Sequence, residues 1–176
     1  MKLIILSFFL IGIVGCEKIA DISDPLKYEK ENLNFLYPRN WKVSEDIQDK
    51  NGLRYLFVES SGSAILATQI YSKADASSLR EFAEWYSSAR NDEIAIGDIE
   101  KTSFSTVEKI VSNHKTKGLR EEFAITLLGI DIPHTCEYYI VNSGNKVAFL
   151  VSQSATEDLK KVKPGFDLIL KTFMVK

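Results

Sequence analysis

The chain has 176 residues, of which 45% are hydrophobic and 26% are charged, and its 22 basic and 24 acidic residues leave a net charge of −2. This length and composition are typical of one domain with a substantial apolar core. The densest basic cluster is Lys160, Lys161 and Lys163. Such a cluster is typical of a solvated helix face, so nucleic-acid binding is not expected.

Residues 1–15 have the pattern of a secretory signal. Lys2 is the only charge in this segment, and the apolar stretch after it is shorter than the roughly 20 residues that a helix needs to span a bilayer. The stretch ends in Ile13-Val14-Gly15-Cys16, which resembles a bacterial lipobox. The resemblance implies cleavage before Cys16 and lipidation of its thiol, with palmitate-like acyl chains that together form a stable anchor.

A lipidated Cys16 would place the protein in the bacterial cell envelope, attached to a membrane. The alternatives are an ordinary signal peptide with a chance cysteine, or an uncleaved anchor. In Gram-negative lipoproteins the inner-membrane retention signal is typically Asp at the following position. Glu17 therefore favours the outer membrane over the inner membrane.

Residues 16–31 are polar and charged and show no sustained periodicity, and Asp24-Pro25 is a turn signal. This segment is predicted to be a flexible, lipidated tether that separates the domain and the membrane by roughly 20–25 Å. Docking of its apolar residues on the domain would shorten that reach; these residues are Ile22, Leu26 and Tyr28.

The domain is predicted over residues 32–176 and begins with strands. Leu33–Tyr37 alternates as a strand, which Pro38 ends because proline lacks a ladder N–H. Trp41 and Val43 indicate that the chain resumes beside it. Residues 53–71 read as a hairpin, with turn chemistry at Ser60-Ser61-Gly62-Ser63.

A helix is predicted next. Ser78 and Glu81 have the spacing of a capping box, and Arg90 near the end suits the negative pole of the helix dipole. Trp85 lies off the apolar stripe, whose members recur at helical spacing: Leu79, Phe82, Ala83, Tyr86 and Ala89.

The second half is predicted to be mainly antiparallel strands. Residues 99–128 read as two or three strands with a turn at Gly118, and residues 128–131 read as a hairpin loop. A strand with His134 and Cys136 on one face follows, then a turn over residues 142–145 and a further strand. The C-terminal region is predicted to form two helices that break near Lys163, because Pro164 inside one helix is unfavourable. This order predicts an α+β fold, an antiparallel sheet packed by helices.

Phe35-Leu36-Tyr37-Pro38 followed by Trp41 resembles the opening strand and turn of the PsbP-like family, and the helix over 79–86 and the ending at Phe166–Phe173 fit it too. The resemblance implies an α/β/α sandwich over most of residues 32–174. It also implies binding or steadying of other proteins, without shared catalytic residues. Together with the lipidation signal it points to the bacterial DcrB-type branch.

Residues suited to chemistry are few. His134 and Cys136 share a strand face, but Glu137 alternates to the other face and a metal site needs three or four converging ligands. A nucleophilic pair of Cys136 with His114 would need an orienting third group. With Cys16 lipidated, Cys136 has no disulfide partner and is expected to be a buried apolar residue. No metal, cofactor or catalytic residue is therefore predicted.

The function predicted from these residues is that of a non-catalytic, membrane-anchored envelope lipoprotein with a monomeric domain that binds a protein or peptide partner. The alternative is a small-ligand or metal carrier, and a hydrolase acting through Cys136 is a third reading. Trp85 and Tyr139 are the candidate partner-contact residues, because both lie off the apolar faces of their elements. Their alternative role is packing against the opposite layer of the sandwich.

Overall fold

The strands of this protein form two antiparallel sheets in a computed structural model, which describes residues 17–93 and 98–176. In chain order the elements are β1 (Leu26–Lys30), β2 (Leu33–Tyr37), β3 (Lys42–Gln48), β4 (Arg54–Glu59), β5 (Ile65–Ser72), α1 (Leu79–Glu93), β6 (Asp98–Val111), β7 (His114–Leu127), β8 (Ile130–Ser143), β9 (Lys146–Ala155), α2 (Leu159–Thr172) and β10 (Met174–Val175). The larger sheet has the order β3-β4-β5-β9-β8-β7-β6, and the smaller one has the order β1-β2-β10.

The two helices cover opposite faces of the seven-stranded sheet. Along β9, Ala148 and Leu150 belong to the core under α2, whereas Val147, Phe149 and Val151 belong to the core under α1. The smaller sheet packs on the α2 side as well. The predicted α+β class, with an antiparallel sheet between helices, is thus confirmed. Among the described residues, neither helix has the length and apolar run needed to cross a membrane.

The first strands and the first helix form where local sequence chemistry predicted them. β2 has the predicted bounds, and β4 and β5 form the predicted hairpin. The capping box is complete: Glu81 N donates to Ser78 Oγ at 3.3 Å, and Ser78 N donates to the Glu81 carboxylate at 2.9 Å. Both side chains thereby satisfy backbone donors that the first turn of a helix leaves unpaired.

The turn predicted at Gly118 is wrong. The chain reverses at Ser112 and Asn113, which have φ of 50° and 62°, and Gly118 lies within β7. A Cβ atom on Gly118 would lie 2.5 Å from the Tyr138 carbonyl oxygen and 2.5 Å from the Tyr139 ring. This glycine is needed because the next strand and its tyrosine approach closely, and a close approach has the same sequence signature as a turn.

The predicted break near Lys163 is also wrong, because α2 is one continuous helix that contains Pro164. Pro164 is the sixth residue of the helix, so its missing N–H affects only the helix's N-terminal part. A buried stripe on both sides of Pro164 packs on the sheet and keeps the helix intact; its members are Val162, Gly165, Phe166, Ile169 and Leu170.

The chain from residue 17 to residue 31 lies against the domain, unlike the flexible tether that was predicted. β1 pairs with β2 over five residues, and Tyr28 stacks on Phe35 with ring centroids 4.9 Å apart. Ala20 is buried, whereas Ile22 stays half exposed. Pairing with β2 supplies the hydrogen bonds and the apolar contact that this short, charged segment cannot supply by itself.

Candidate functional site

A buried ion pair lies between α1 and the sheet. Arg90 donates to both carboxylate oxygens of Glu121, at 3.1 Å from Nη1 to Oε2 and 2.7 Å from Nη2 to Oε1. Ser87 Oγ and Tyr138 Oη donate to the same carboxylate. Glu121 is 0% exposed and Arg90 is 4% exposed. The acceptor capacity of Glu121 is therefore taken up by the domain's own side chains.

This ion pair was not predicted from the sequence, although the positions of both residues in the sequence pattern indicate that they are buried. Glu121 has the same parity in β7 as the apolar Phe123, and Arg90 lies one helical turn after Ser87 on the face that α1 buries. The Arg90 guanidinium also lies over the Phe123 ring, 3.6 Å from its centroid. Only the packing of α1 on β7 brings the two charges together.

Cys136 lies beside this pair and is closed to solvent. It pairs with Glu121 in the β7–β8 register, is 0% exposed and has a free thiol. Burial raises the pKa of this thiol to about 12. The thiol is therefore protonated at neutral pH, whereas nucleophilic attack needs the thiolate.

His134 and His114 do not complete a catalytic or metal-binding group. His134 is partly buried and stacks on Phe123 at 5.4 Å, and burial lowers its pKa, which favours the neutral ring. His114 begins β7 and lies seven residues before the partner of Cys136, or about 23 Å along the strand. Within residues 17–93 and 98–176, no three His, Cys, Asp or Glu side chains are placed to hold a metal ion.

A second buried carboxylate lies on the opposite face of the sheet, under α2. Glu137 accepts hydrogen bonds from Arg120 at 2.6 Å and from Tyr139 Oη at 2.9 Å, and it pairs with Lys109 at 2.7 Å. Burial acts to raise the pKa of Glu137, but Lys109, Arg120 and Tyr139 outweigh it and the pKa is lowered. Glu137 is thus an ionised structural group.

The predicted contact pair of Trp85 and Tyr139 does not form one surface. Tyr139 is 0% exposed and lies in the core under α2, because β8 alternates and its hydroxyl bonds to Glu137. Trp85 lies on α1, across the sheet, and is 37% exposed. For Tyr139 the packing alternative is the correct one, and a partner-contact role stays a prediction for Trp85 alone.

Trp85 is partly exposed on α1 and neighbours two other aromatic rings of that helix, one of which, Phe82, is buried. Its ring is 5.8 Å from that of Phe82 and 6.4 Å from that of Tyr86. Along the same helix, the Arg80 guanidinium lies over Phe104 of β6 at 4.9 Å. In the part of the chain that the structure describes, no strand pairs with the outer edge of β6. We refer to the exposed side of α1 around Trp85, together with this edge, as the α1–β6 surface.

A cleft of about 220 Å³ lies at the end of the sheet where β4 begins, and Glu31, Arg54 and Lys146 contribute to its lining. Ligand pockets usually measure about 300–1,000 Å³. The cation best placed for an anionic ligand is already paired: Arg54 donates to both oxygens of Asp46, at 2.7 and 2.9 Å. The cleft therefore gives little support to the carrier alternative.

The same carboxylate ties β1 to the larger sheet. Asp46 accepts hydrogen bonds from Tyr28, Lys30 and Arg54. Burial acts to raise the pKa of Asp46, but hydrogen bonds from Arg54, Lys30 and Tyr28 outweigh it and hold the pKa well below its usual range. The Asp46 carboxylate therefore has a structural role.

Comparison with solved structures identifies the fold. The solution structure of cyanobacterial PsbP (CyanoP) from Synechocystis sp. PCC 6803 superposes with a TM-score of 0.53 at 15% identity, and the match covers 94% of this chain and 99% of that one. The fold is PsbP-like. A Bacteroides thetaiotaomicron protein gives a TM-score of 0.48 at 15% identity over 85% of this chain and 48% of that one. LpqN, involved in cell envelope biogenesis of Mycobacterium tuberculosis, gives a TM-score of 0.44 at 8% identity, and the match covers 86% of this chain and 89% of that one. No family model and no curated protein matches the sequence.

In this PsbP-like fold, the aromatic residues that carried the sequence resemblance serve packing. Trp41 is 4% exposed, and its ring meets that of Phe166 edge-on at 5.2 Å. Phe35 stacks on Phe173 at 6.2 Å. Cys16, the predicted lipid attachment site, lies outside the described residues. The residue after it, Glu17, is buried against the turn between β4 and β5.

Proposed function

We propose that this PsbP-like chain is a non-catalytic lipoprotein of the bacterial cell envelope, of the DcrB type, anchored through Cys16 and acting by binding a protein or peptide partner. The proposal rests on how the domain uses its reactive groups. Glu121, Glu137 and Cys136 are sealed in the core and bonded or packed internally. The groups that remain accessible to a partner lie on the surface of the domain. Because confinement to a membrane raises the effective concentration of the domain there, even a weak interface can be occupied.

The anchoring part of the proposal is supported by the N-terminal pattern of Lys2, the apolar stretch and Gly15-Cys16. Cells that are fed an alkyne fatty acid should label the protein, and Cys16→Ser should abolish the label. Cys136→Ala, which changes the other cysteine, is the matched control and should keep the label. Label retained by Cys16→Ser would contradict the anchor.

The binding part of the proposal is supported by the α1–β6 surface. Trp and Tyr are enriched at interfaces, and an open strand edge can accept an extended peptide as an added strand. Two sites on this surface suit a photo-reactive amino acid: Trp85 on α1 and Thr106, which is exposed on β6. A partner that binds here should crosslink from both sites in intact cells.

Asn51, exposed in the turn before β4, is the control site for crosslinking. Trp85→Ser should reduce capture from Thr106 while the melting temperature changes little, because the ring is partly exposed. A large fall in melting temperature would assign Trp85 to the core. Equal capture from Asn51 would contradict a partner at this surface.

A further inference from the structure

The N-terminal end of the described chain is pinned to one end of the sheet. Glu17 is 4% exposed, and its Oε2 accepts hydrogen bonds from Ser60 Oγ at 2.7 Å, Ser63 N at 3.1 Å and Ala64 N at 3.3 Å. Three residues later, Ala20 N donates to a carbonyl at the start of α2 at 3.0 Å. A lipid on the residue before Glu17 would therefore emerge beside the β4–β5 turn.

The β7–β8 turn projects from this same end of the sheet. Ile65, which follows the β4–β5 turn, pairs with Gln153 of β9, and Gln153 pairs with Cys136 of β8. These three residues therefore lie side by side, at the same height along their strands. β9 ends at Ala155, opposite His134, whereas β8 begins four residues earlier. At 3.3 Å per residue, the β7–β8 turn extends about 13 Å beyond the end of β9.

The tip of this turn is apolar and exposed. Leu128 is 90% exposed and Ile130 is 67% exposed, and they flank Gly129. Leu128 has a φ of 51° and Gly129 a φ of 78°, a conformation in which Asn, Asp or Gly is favoured and leucine is strained. The leucine gains almost no burial within the described chain to offset that strain. Its side chain is therefore available to something outside the domain.

The opposite end of the sheet has no comparable turn. The connections there are polar: Asp49-Lys50-Asn51-Gly52 between β3 and β4, Ser112-Asn113 between β6 and β7, and Gly144-Asn145 between β8 and β9. Ile47 and Ile110, just before two of these turns, are each 46% exposed, so the most exposed aliphatic side chains, rather than all of them, lie at the end that carries Glu17. Ile19, which is 72% exposed, adds a third such side chain there.

We propose that this end of the sheet faces the lipid bilayer, with Leu128 and Ile130 inserted into the lipid surface that also receives the acyl chains on Cys16. This inference rests on the proposed lipid anchor. Because the chain is pinned from Glu17 onward, the anchored domain cannot rotate freely away from the membrane. The β5 and β7 strands are three strand spacings apart, about 14 Å, so a tilt of the sheet brings both contacts to one plane.

The test uses the full lipidated protein in vesicles of phosphatidylethanolamine and phosphatidylglycerol. Leu128→Cys is labelled with an environment-sensitive fluorophore, and Asn145→Cys at the polar end is the matched control. Cys136 is buried and Cys16 is blocked by its thioether, so only the new thiol reacts. We expect the emission from position 128 to shift to shorter wavelength and to be quenched by acyl-brominated lipid, and the emission from position 145 to do neither.

The outcomes separate this inference from the proposed function. If the protein floats with the vesicles but position 128 behaves like position 145, the orientation is wrong and the anchor stands. If Cys16→Ser floats as well as the wild type, the anchor itself is wrong. A blue shift at position 128 that needs no vesicles and rises with protein concentration would identify a second copy of the chain as the occupant, and would overturn the inference.

Discussion

Removing one charge of the buried Arg90–Glu121 pair should destabilise the domain strongly. Glu121→Gln keeps the shape of the side chain but has only one acceptor oxygen, so it can accept from Ser87 or from Tyr138 but not from both, and it leaves the 4% exposed guanidinium without a countercharge. Breaking a buried pair in this way typically costs about 3–5 kcal/mol. Arg90→Met should cost a similar amount, because it leaves the Glu121 carboxylate as the uncompensated charge.

The double variant decides whether the pairing itself is the cause. Combining Arg90→Met with Glu121→Gln removes both charges, so its loss should fall well below the sum of the single losses. The expected coupling is about 0.5–3 kcal/mol, as measured for residues in one buried network. Additive losses would show that packing damage, rather than the unpaired charge, causes the destabilisation.

Urea unfolding of the chain from residue 16 onward, followed by circular dichroism, measures these differences as shifts of the midpoint at constant slope. Glu122→Gln is the control, because this neighbouring glutamate faces solvent. It should change the free energy of unfolding by no more than about 0.5 kcal/mol. The reasoning is refuted if Glu121→Gln is as mild as Glu122→Gln.

Three further predictions concern packing and pH. Trp41→Ala should destabilise the domain by about 3–5 kcal/mol in urea unfolding, whereas Trp41→Phe should cost less, because the buried indole N–H has no hydrogen-bond partner among the described residues. Gly118→Ala should cost about 1–3 kcal/mol or more in the same assay, since its methyl group would strike the Tyr138 carbonyl oxygen and the Tyr139 ring. The depressed pKa of Asp46 means that the folded state binds fewer protons, so its stabilisation is complete above the unfolded pKa of about 3.9 and is lost as pH falls further. Asp46→Asn should flatten the acid limb of thermal stability measured against pH.

Local sequence patterns determined those elements whose signals lie within a few residues. Alternation in Leu33–Tyr37 and in the β4–β5 hairpin sets which side chains meet the core. The Ser78 and Glu81 pair marks the start of α1, because the hydrogen bonds that it makes span only three residues. The lipobox-like ending at Cys16 is local in the same sense. These features need no knowledge of what packs against them.

Tertiary structure decided the features that depend on a neighbour distant in sequence. Gly118 lies in a strand because Tyr139 needs its space, and α2 runs through Pro164 because its buried face holds it on the sheet. Glu121 is a buried structural charge only because Arg90 crosses above it. The burial of Tyr139 has the same origin. The alternation of residues along a strand shows on which face of the sheet a side chain lies. Which element covers that face depends on the path of the whole chain.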